Sequence, residues 1–176
     1  MHVKRTGNTL TVALDSEDET ARLGRAIALL VEPGVVIGLV GPLGAGKTRL
    51  TRAVAEALGV DPAAISSPTF VLIHEYEGHL PIYHFDAYRL QSPQAFEDLG
   101  VAEYWGGDGV CLVEWADRVR GLLPEDCWMI SLEPTGALAR VARVEFPASA
   151  AGVADRLAEK LRYVGRHRRA LTPWWA

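Results

Sequence analysis

The chain is poor in cysteine, has no long uncharged apolar run and carries no excess of positive charge. Cys111 falls inside an apolar strand pattern and Cys127 stands beside Trp128. Two thiols placed in this way are expected to be buried and reduced, which excludes a disulfide scaffold, and no zinc-ligand spacing is visible. No stretch approaches the roughly 18 apolar residues that a membrane span requires. The start, Met1-His2-Val3-Lys4-Arg5, is not followed by a secretory apolar core. A cytoplasmic protein without membrane contact is expected. The net charge of −4 argues against a protein that coats nucleic acid unaided. Repeats and low-complexity linkers are lacking too.

What is present is enough chain, 176 residues at 49% apolar content, for one well-buried domain and too little for two. Positions 1–163 are expected to form that domain, with 164–176 as a basic, Trp-containing tail. Arg156, Lys160, Arg162, Arg166, Arg168 and Arg169 crowd this end. The crowding reads either as an edge offered to a partner or as a solvated helix face with a frayed terminus.

The most informative stretch is Gly41-Pro42-Leu43-Gly44-Ala45-Gly46-Lys47-Thr48, which fits G-x-x-x-x-G-K-[ST], the phosphate-binding loop of nucleoside triphosphatases. Its context supports the match. Val35 to Val40 is an apolar run of the kind found in a doubly covered parallel strand, while Leu50, Val54 and Leu58 recur at helical spacing ahead of Gly59. Strand, glycine loop and helix follow in order. Such a loop turns backbone N–H groups toward an anion at the positive end of the helix. Gly41, Leu43, Gly44, Ala45, Gly46, Lys47 and Thr48 are therefore candidate nucleotide contacts, with Lys47 reaching the β- and γ-phosphates and Thr48 offering its hydroxyl to Mg²⁺.

The rest of the chain is read in the same way. Leu10, Val12 and Leu14 alternate as a first strand; Ser16 and Glu19 make an S-x-x-E capping box before a helix through Leu23, Ile27 and Leu30. The acidic first turn, Glu17 to Glu19, reads as dipole compensation or as a neighbour of the nucleotide base. The proline-stiffened stretch Asp61 to Phe70 is either a plain connector or a loop over the γ-phosphate, with Thr69 as its metal-sensing hydroxyl. Phe70 to Glu77 and Leu80 to Asp86 alternate as a hairpin, as do Trp128 to Glu133 and Arg140 to Phe146. Ser92 and Pro93 start a short helix, and Val153, Leu157 and Leu161 mark the last one. Two apolar strands end in acids, Ile82 to Asp86 and Val110 to Glu114. Both carboxylates are expected to face one metal. Trp115 covers the site mouth or fills the core, and large aromatics more often do the latter.

On these residues alone a hydrolase and a small metabolite kinase stand level, the kinase using Asp86 as base and Arg89 as phosphate clamp. A nucleotide-gated binding module is a third reading. An Arg-rich kinase lid is not visible, and no arginine among Arg49, Arg52 and Arg89 is assignable to the transferring phosphoryl group.

The motifs together resemble the bacterial TsaE (YjeE) family of ATPases in tRNA threonylcarbamoyladenosine biosynthesis. The resemblance runs from Ser16 to Trp115 through G-x-L-G-A-G-K-T at Gly41 to Thr48, S-P-T-F at Ser67 to Phe70, H-F-D-x-Y-R-L at His84 to Leu90 and L-V-E-W at Leu112 to Trp115. It implies a single-domain α/β P-loop NTPase fold, with a mostly parallel central sheet, antiparallel hairpin strands and flanking helices. It also implies ATP and Mg²⁺ as cofactors, catalytic Lys47, Asp86 and Glu114, and Thr48 and Glu114 as metal ligands, with Asp86 as a Walker B-like acid. Ser67-Pro68-Thr69 would be a switch I-like loop and Glu114-Trp115 a switch II-like element. TsaB and TsaD would be partners, with ATP turnover resetting their threonylcarbamoyl transfer. tRNA would be met indirectly through that complex, with Arg166 to Arg169 as a candidate contact. Pro42 and the tail depart from the family pattern.

Overall fold

The computed structural model describes residues 1–66 and 71–166, with side chains as far as 162. The loop Ser67-Pro68-Thr69-Phe70, including the candidate contact Thr69, lies outside the described residues, as do Arg168, Arg169, Trp174 and Trp175.

The apolar run before the glycine loop becomes β3 (Val36–Val40), which pairs in parallel with β6 (Val110–Glu114) on one side and β7 (Trp128–Pro134) on the other. β5 (Ile82–Asp86) extends the parallel set beside β6. Antiparallel strands close both margins: β4 (Ile73–Tyr76) on β5, and β8 (Arg140–Glu145), β2 (Thr9–Leu14) and β1 (His2–Thr6) beyond β7. The order of this single mixed sheet is β1-β2-β8-β7-β3-β6-β5-β4. The expected hairpins form: β4, β5 and β8 are shorter than the alternation suggests, while β7 runs one residue further, to Pro134. β1 is an addition: its charged, mostly exposed residues carry no apolar alternation, and backbone pairing to β2 alone makes it a strand.

Period-two side-chain alternation gives each central strand two buried faces. Val110 and Leu112 point into the larger core under α1 (Glu17–Ala28), α2 (Lys47–Ala57) and α4 (Val153–Arg166). Cys111 and Val113 point into a second core with Phe85, Phe96 and Val101, beneath α3 (Pro93–Glu97) and the irregular helical segment Ala116–Leu122. Among the described residues no helix is long and apolar enough to cross a membrane. In the acidic first turn of α1, Glu19 is engaged locally, in keeping with the capping box. Ser16 Oγ accepts from Glu19 N, and Glu19 accepts from Asp15 N and from the Met1 amino group.

The consequence for the site is positional. β3, β5 and β6 all end at the same edge, and clefts in α/β sheets open outside the carboxyl ends of parallel strands.

Candidate functional site

At that edge β3 hands over to the glycine loop. Gly41 (φ 147°) passes so close to Leu132 that any Cβ would strike its backbone carbonyl. Gly46 (φ 103°) is the N-cap of α2 and lies against the Arg140 guanidinium, 2.5 Å from where a Cβ would stand. Both positions therefore require glycine on conformational and steric grounds. Arg140, 7% exposed, donates from Nη1 to the Ala45 carbonyl at 3.3 Å and from Nη2 to that of Leu138 at 3.0 Å. A residue of β8 thus braces the loop from behind.

Lys47, 5% exposed, begins α2. Its ammonium donates to the carbonyls of Gly41 (2.6 Å) and Pro42 (3.0 Å) and stands 3.7 Å from the centroid of the Trp115 ring. Burial lowers the Lys47 pKa, while Glu114, Asp86 and Asp117 pull the other way. Thr48 Oγ1 donates to Glu114 Oε2 at 2.8 Å. Asp86 and Glu114 are direct neighbours in the β5–β6 register, both buried and both on the face that α2 covers. Asp86 Oδ1 accepts the backbone N–H of Tyr88 at 2.9 Å.

The expected site residues converge unequally. Leu43, Gly44, Gly46, Lys47 and Thr48 line one cleft with Asp86 and Glu114, whereas Ala45 is buried beneath it at 1% exposure. Of the two readings of Trp115, the structure favours the site mouth over the commoner core position, although its ring also packs against the second core. It lines the cleft in the left-handed region (φ 60°), with its ring 4.8 Å from that of Tyr88. Arg52, on α2, donates to the carbonyls of Pro62 and Ile65, so it holds the segment leading to position 67.

Sequence reading missed three side chains. Arg118 donates to the Tyr88 and Leu90 carbonyls and pins the turn after Asp86. Arg140 looks like an ordinary strand residue, and nothing local marks it. His84 lies 2.9 Å from Glu114 Oε1 through its Nε2; period two places it on the same face as Asp86, which was the available signal.

Thr48, Glu114 and Asp86 form an all-oxygen donor set, which suits a hard dication such as Mg²⁺. Among the described residues no group of three or more His, Cys, Asp or Glu side chains is placed to hold a metal by itself.

Known proteins resemble this chain in sequence and fold. The family model of the threonylcarbamoyl adenosine biosynthesis protein TsaE matches residues 14–142. A Bacillus subtilis protein named tRNA threonylcarbamoyladenosine biosynthesis protein TsaE is 44% identical over 120 residues, covering 68% of this chain and 74% of its own. The Treponema pallidum protein of the same name is 45% identical over 117 residues, 66% of this chain and 86% of its own. The crystal structure of Bacillus subtilis YdiB superposes with a TM-score of 0.71 at 32% identity, covering 93% of this chain and 100% of that one. With the glycine loop, the paired strand-end acids and these matches in hand, the chain belongs to the TsaE family.

Proposed function

We propose that this protein is a Mg²⁺-dependent ATPase of tRNA threonylcarbamoyladenosine biosynthesis, hydrolysing ATP in the cytoplasm to support or reset a threonylcarbamoyl-transfer complex of TsaB and TsaD. The observation that carries this reading is the 2.8 Å hydrogen bond from Thr48 to Glu114 at the mouth of a phosphate-binding loop. Loop hydroxyl and strand-end carboxylate meet where a metal bound to phosphates is needed.

The roles follow from the chain's own groups. Backbone N–H groups between Gly41 and Thr48 receive the phosphates, and Lys47 meets the β/γ oxygens from the cleft floor. Thr48 and Glu114 would hold Mg²⁺, with Asp86 beside them. When bound, the ion neutralises charge on the transferring phosphoryl group. Thr69 is assigned to the γ-phosphate side, the described domain to catalysis, and the basic tail, Arg166 to Arg169 included, to partner or tRNA contact.

Phosphate release from ATP and GTP, measured with and without TsaB–TsaD and tRNA, tests the proposal. ATP hydrolysis that the complex stimulates is expected. Tight binding with no turnover under any condition would instead make the protein a nucleotide-gated module, and phosphate transfer to a small acceptor would make it a kinase.

A further inference from the structure

His84 is fully buried on β5, and its ring contacts the same carboxylate that Thr48 contacts. The two oxygens of Glu114 are thereby divided. Oε1 faces His84 Nε2 at 2.9 Å, and Oε2 accepts from Thr48 Oγ1 at 2.8 Å. A carboxylate accepts only, so the proton of the histidine contact belongs on Nε2. Among the described residues His84 Nδ1 has no hydrogen-bond partner, and the imidazole's hydrogen bond there is directed at Glu114. A buried ring with one unpaired nitrogen is costly, and the bond it makes to Glu114 is its compensating contact.

The role follows from how little else fixes Glu114. The terminal torsion of a glutamate is broad, so a carboxylate at a strand end can present either oxygen in many orientations. A donor locked in the neighbouring strand removes that freedom. His84 is held in place by its burial and by the Tyr76 ring, whose centroid lies 6.4 Å from its own. Tyr76 in turn donates through its hydroxyl to the Ser66 carbonyl at 2.8 Å.

We propose that His84 is a positioning residue for Glu114: by donating Nε2–H to Oε1 it turns Oε2 toward Thr48 and the Mg²⁺ position. This rests on the Mg²⁺–ATP reading above. His84 is not among the residues that line the cleft, whereas Glu114 is, so its role is to set the orientation of a residue that would meet the metal. Partners of metal ligands of this kind change metal affinity by about 10- to 100-fold when removed.

The test compares His84→Gln, whose amide nitrogen reaches the position of Nε2, with His84→Asn, whose shorter amide does not. ATP affinity is measured by calorimetry in Mg²⁺ and in EDTA, for the full chain and both variants. The wild type is expected to bind more tightly in Mg²⁺. His84→Asn should lose about tenfold of that gain with its EDTA affinity unchanged, and His84→Gln should keep most of it. Unchanged Mg²⁺ dependence in His84→Asn overturns the proposal, as does an equal loss in EDTA or an equal loss in His84→Gln. A wild type indifferent to Mg²⁺ overturns the metal reading itself, and this inference with it. Should His84→Asn not fold, NMR of the histidine-labelled wild type decides. An Nε2-bound proton that shifts when Mg²⁺ is added to the ATP-loaded protein is expected; a proton on Nδ1, or no shift, overturns the proposal.

Discussion

Lys47 Nζ stands 3.7 Å from the centroid of the Trp115 ring while donating to the carbonyls of Gly41 and Pro42. The tryptophan reaches that position through a left-handed backbone, φ 60°, which costs a non-glycine residue of order 1 kcal/mol. Lysine over the indole face and the Tyr88 ring beside it both oppose that cost. A lysine so committed must exchange some of these contacts to serve phosphate oxygens.

Trp115 emission should therefore change as ATP binds, with the difference absent in Trp115→Phe. Lys47→Ala should weaken ATP binding by roughly 10- to 100-fold, the range of a hydrogen bond to a charged group. Calorimetry reads the second effect and a fluorescence titration the first. Unchanged ATP affinity in Lys47→Ala removes the phosphate role from this loop.

Asp86 and Glu114 should separate on mutation despite being neighbours in register. Glu114 is bonded to Thr48, so Glu114→Gln should cut turnover strongly and blunt the response to Mg²⁺. Asp86 holds the Tyr88 N–H, so Asp86→Asn should lower turnover and loosen the turn that Arg118 also grips. In both variants kcat should fall more than ATP affinity, the mark of interactions made in the transition state. Full Mg²⁺-dependent turnover in either variant takes that residue out of the site.

The parts legible in the sequence are those written locally. The glycine loop, the apolar strand before it and the strand-end acids announce themselves through spacing, so β3, β5 and β6 and the residues Lys47, Thr48, Asp86 and Glu114 were all visible. The parts that were not are tertiary. β1 is charged and mostly exposed, and only pairing with β2 defines it. Trp115 faces the cleft because its own backbone turns left-handed, which no neighbouring residue type demands. Arg140 meets Ala45 across 95 positions of chain, and His84 meets Glu114 across 30. The Arg140 contact leaves no periodic trace, and the only trace of His84 is the strand face it shares with Asp86.

The two thiols give a pH prediction. Burial pushes both Cys111 and Cys127 up from 9.0 to about 12. In the unfolded chain each thiol loses its proton near the lower value, while the folded chain keeps it to the higher. Between those limits the unfolded state binds fewer protons, so stability falls as pH rises through this window. Tyr76, Tyr83 and Tyr104 are raised as well, so the cysteine part is isolated by comparing Cys111→Ala with wild type. The urea midpoint should decline less steeply above pH 9 in the variant. Identical slopes would show that Cys111 is not held protonated by burial. Alkylation of both thiols should also be slow in the native protein at neutral pH and fast in urea.

The last prediction concerns rate. An efficient NTPase needs a cation at the transferring phosphoryl group, often an arginine finger, and a residue that places the attacking water. Three arginines near the cleft are committed to backbone carbonyls: Arg52 to Pro62 and Ile65, Arg118 to Tyr88 and Leu90, and Arg140 to Ala45 and Leu138. Each holds a loop in place, and moving any of them to the phosphates would release that loop. Arg49 lines the cleft from α2. The purified chain is therefore expected to turn over ATP slowly, and a partner supplying charge or ordering the loop should raise kcat far more than it tightens ATP binding. Steady-state phosphate release with and without TsaB–TsaD checks this, alongside Arg49→Ala. Fast turnover by the chain alone, unaffected by the complex and lost in Arg49→Ala, would place the missing cation in this protein.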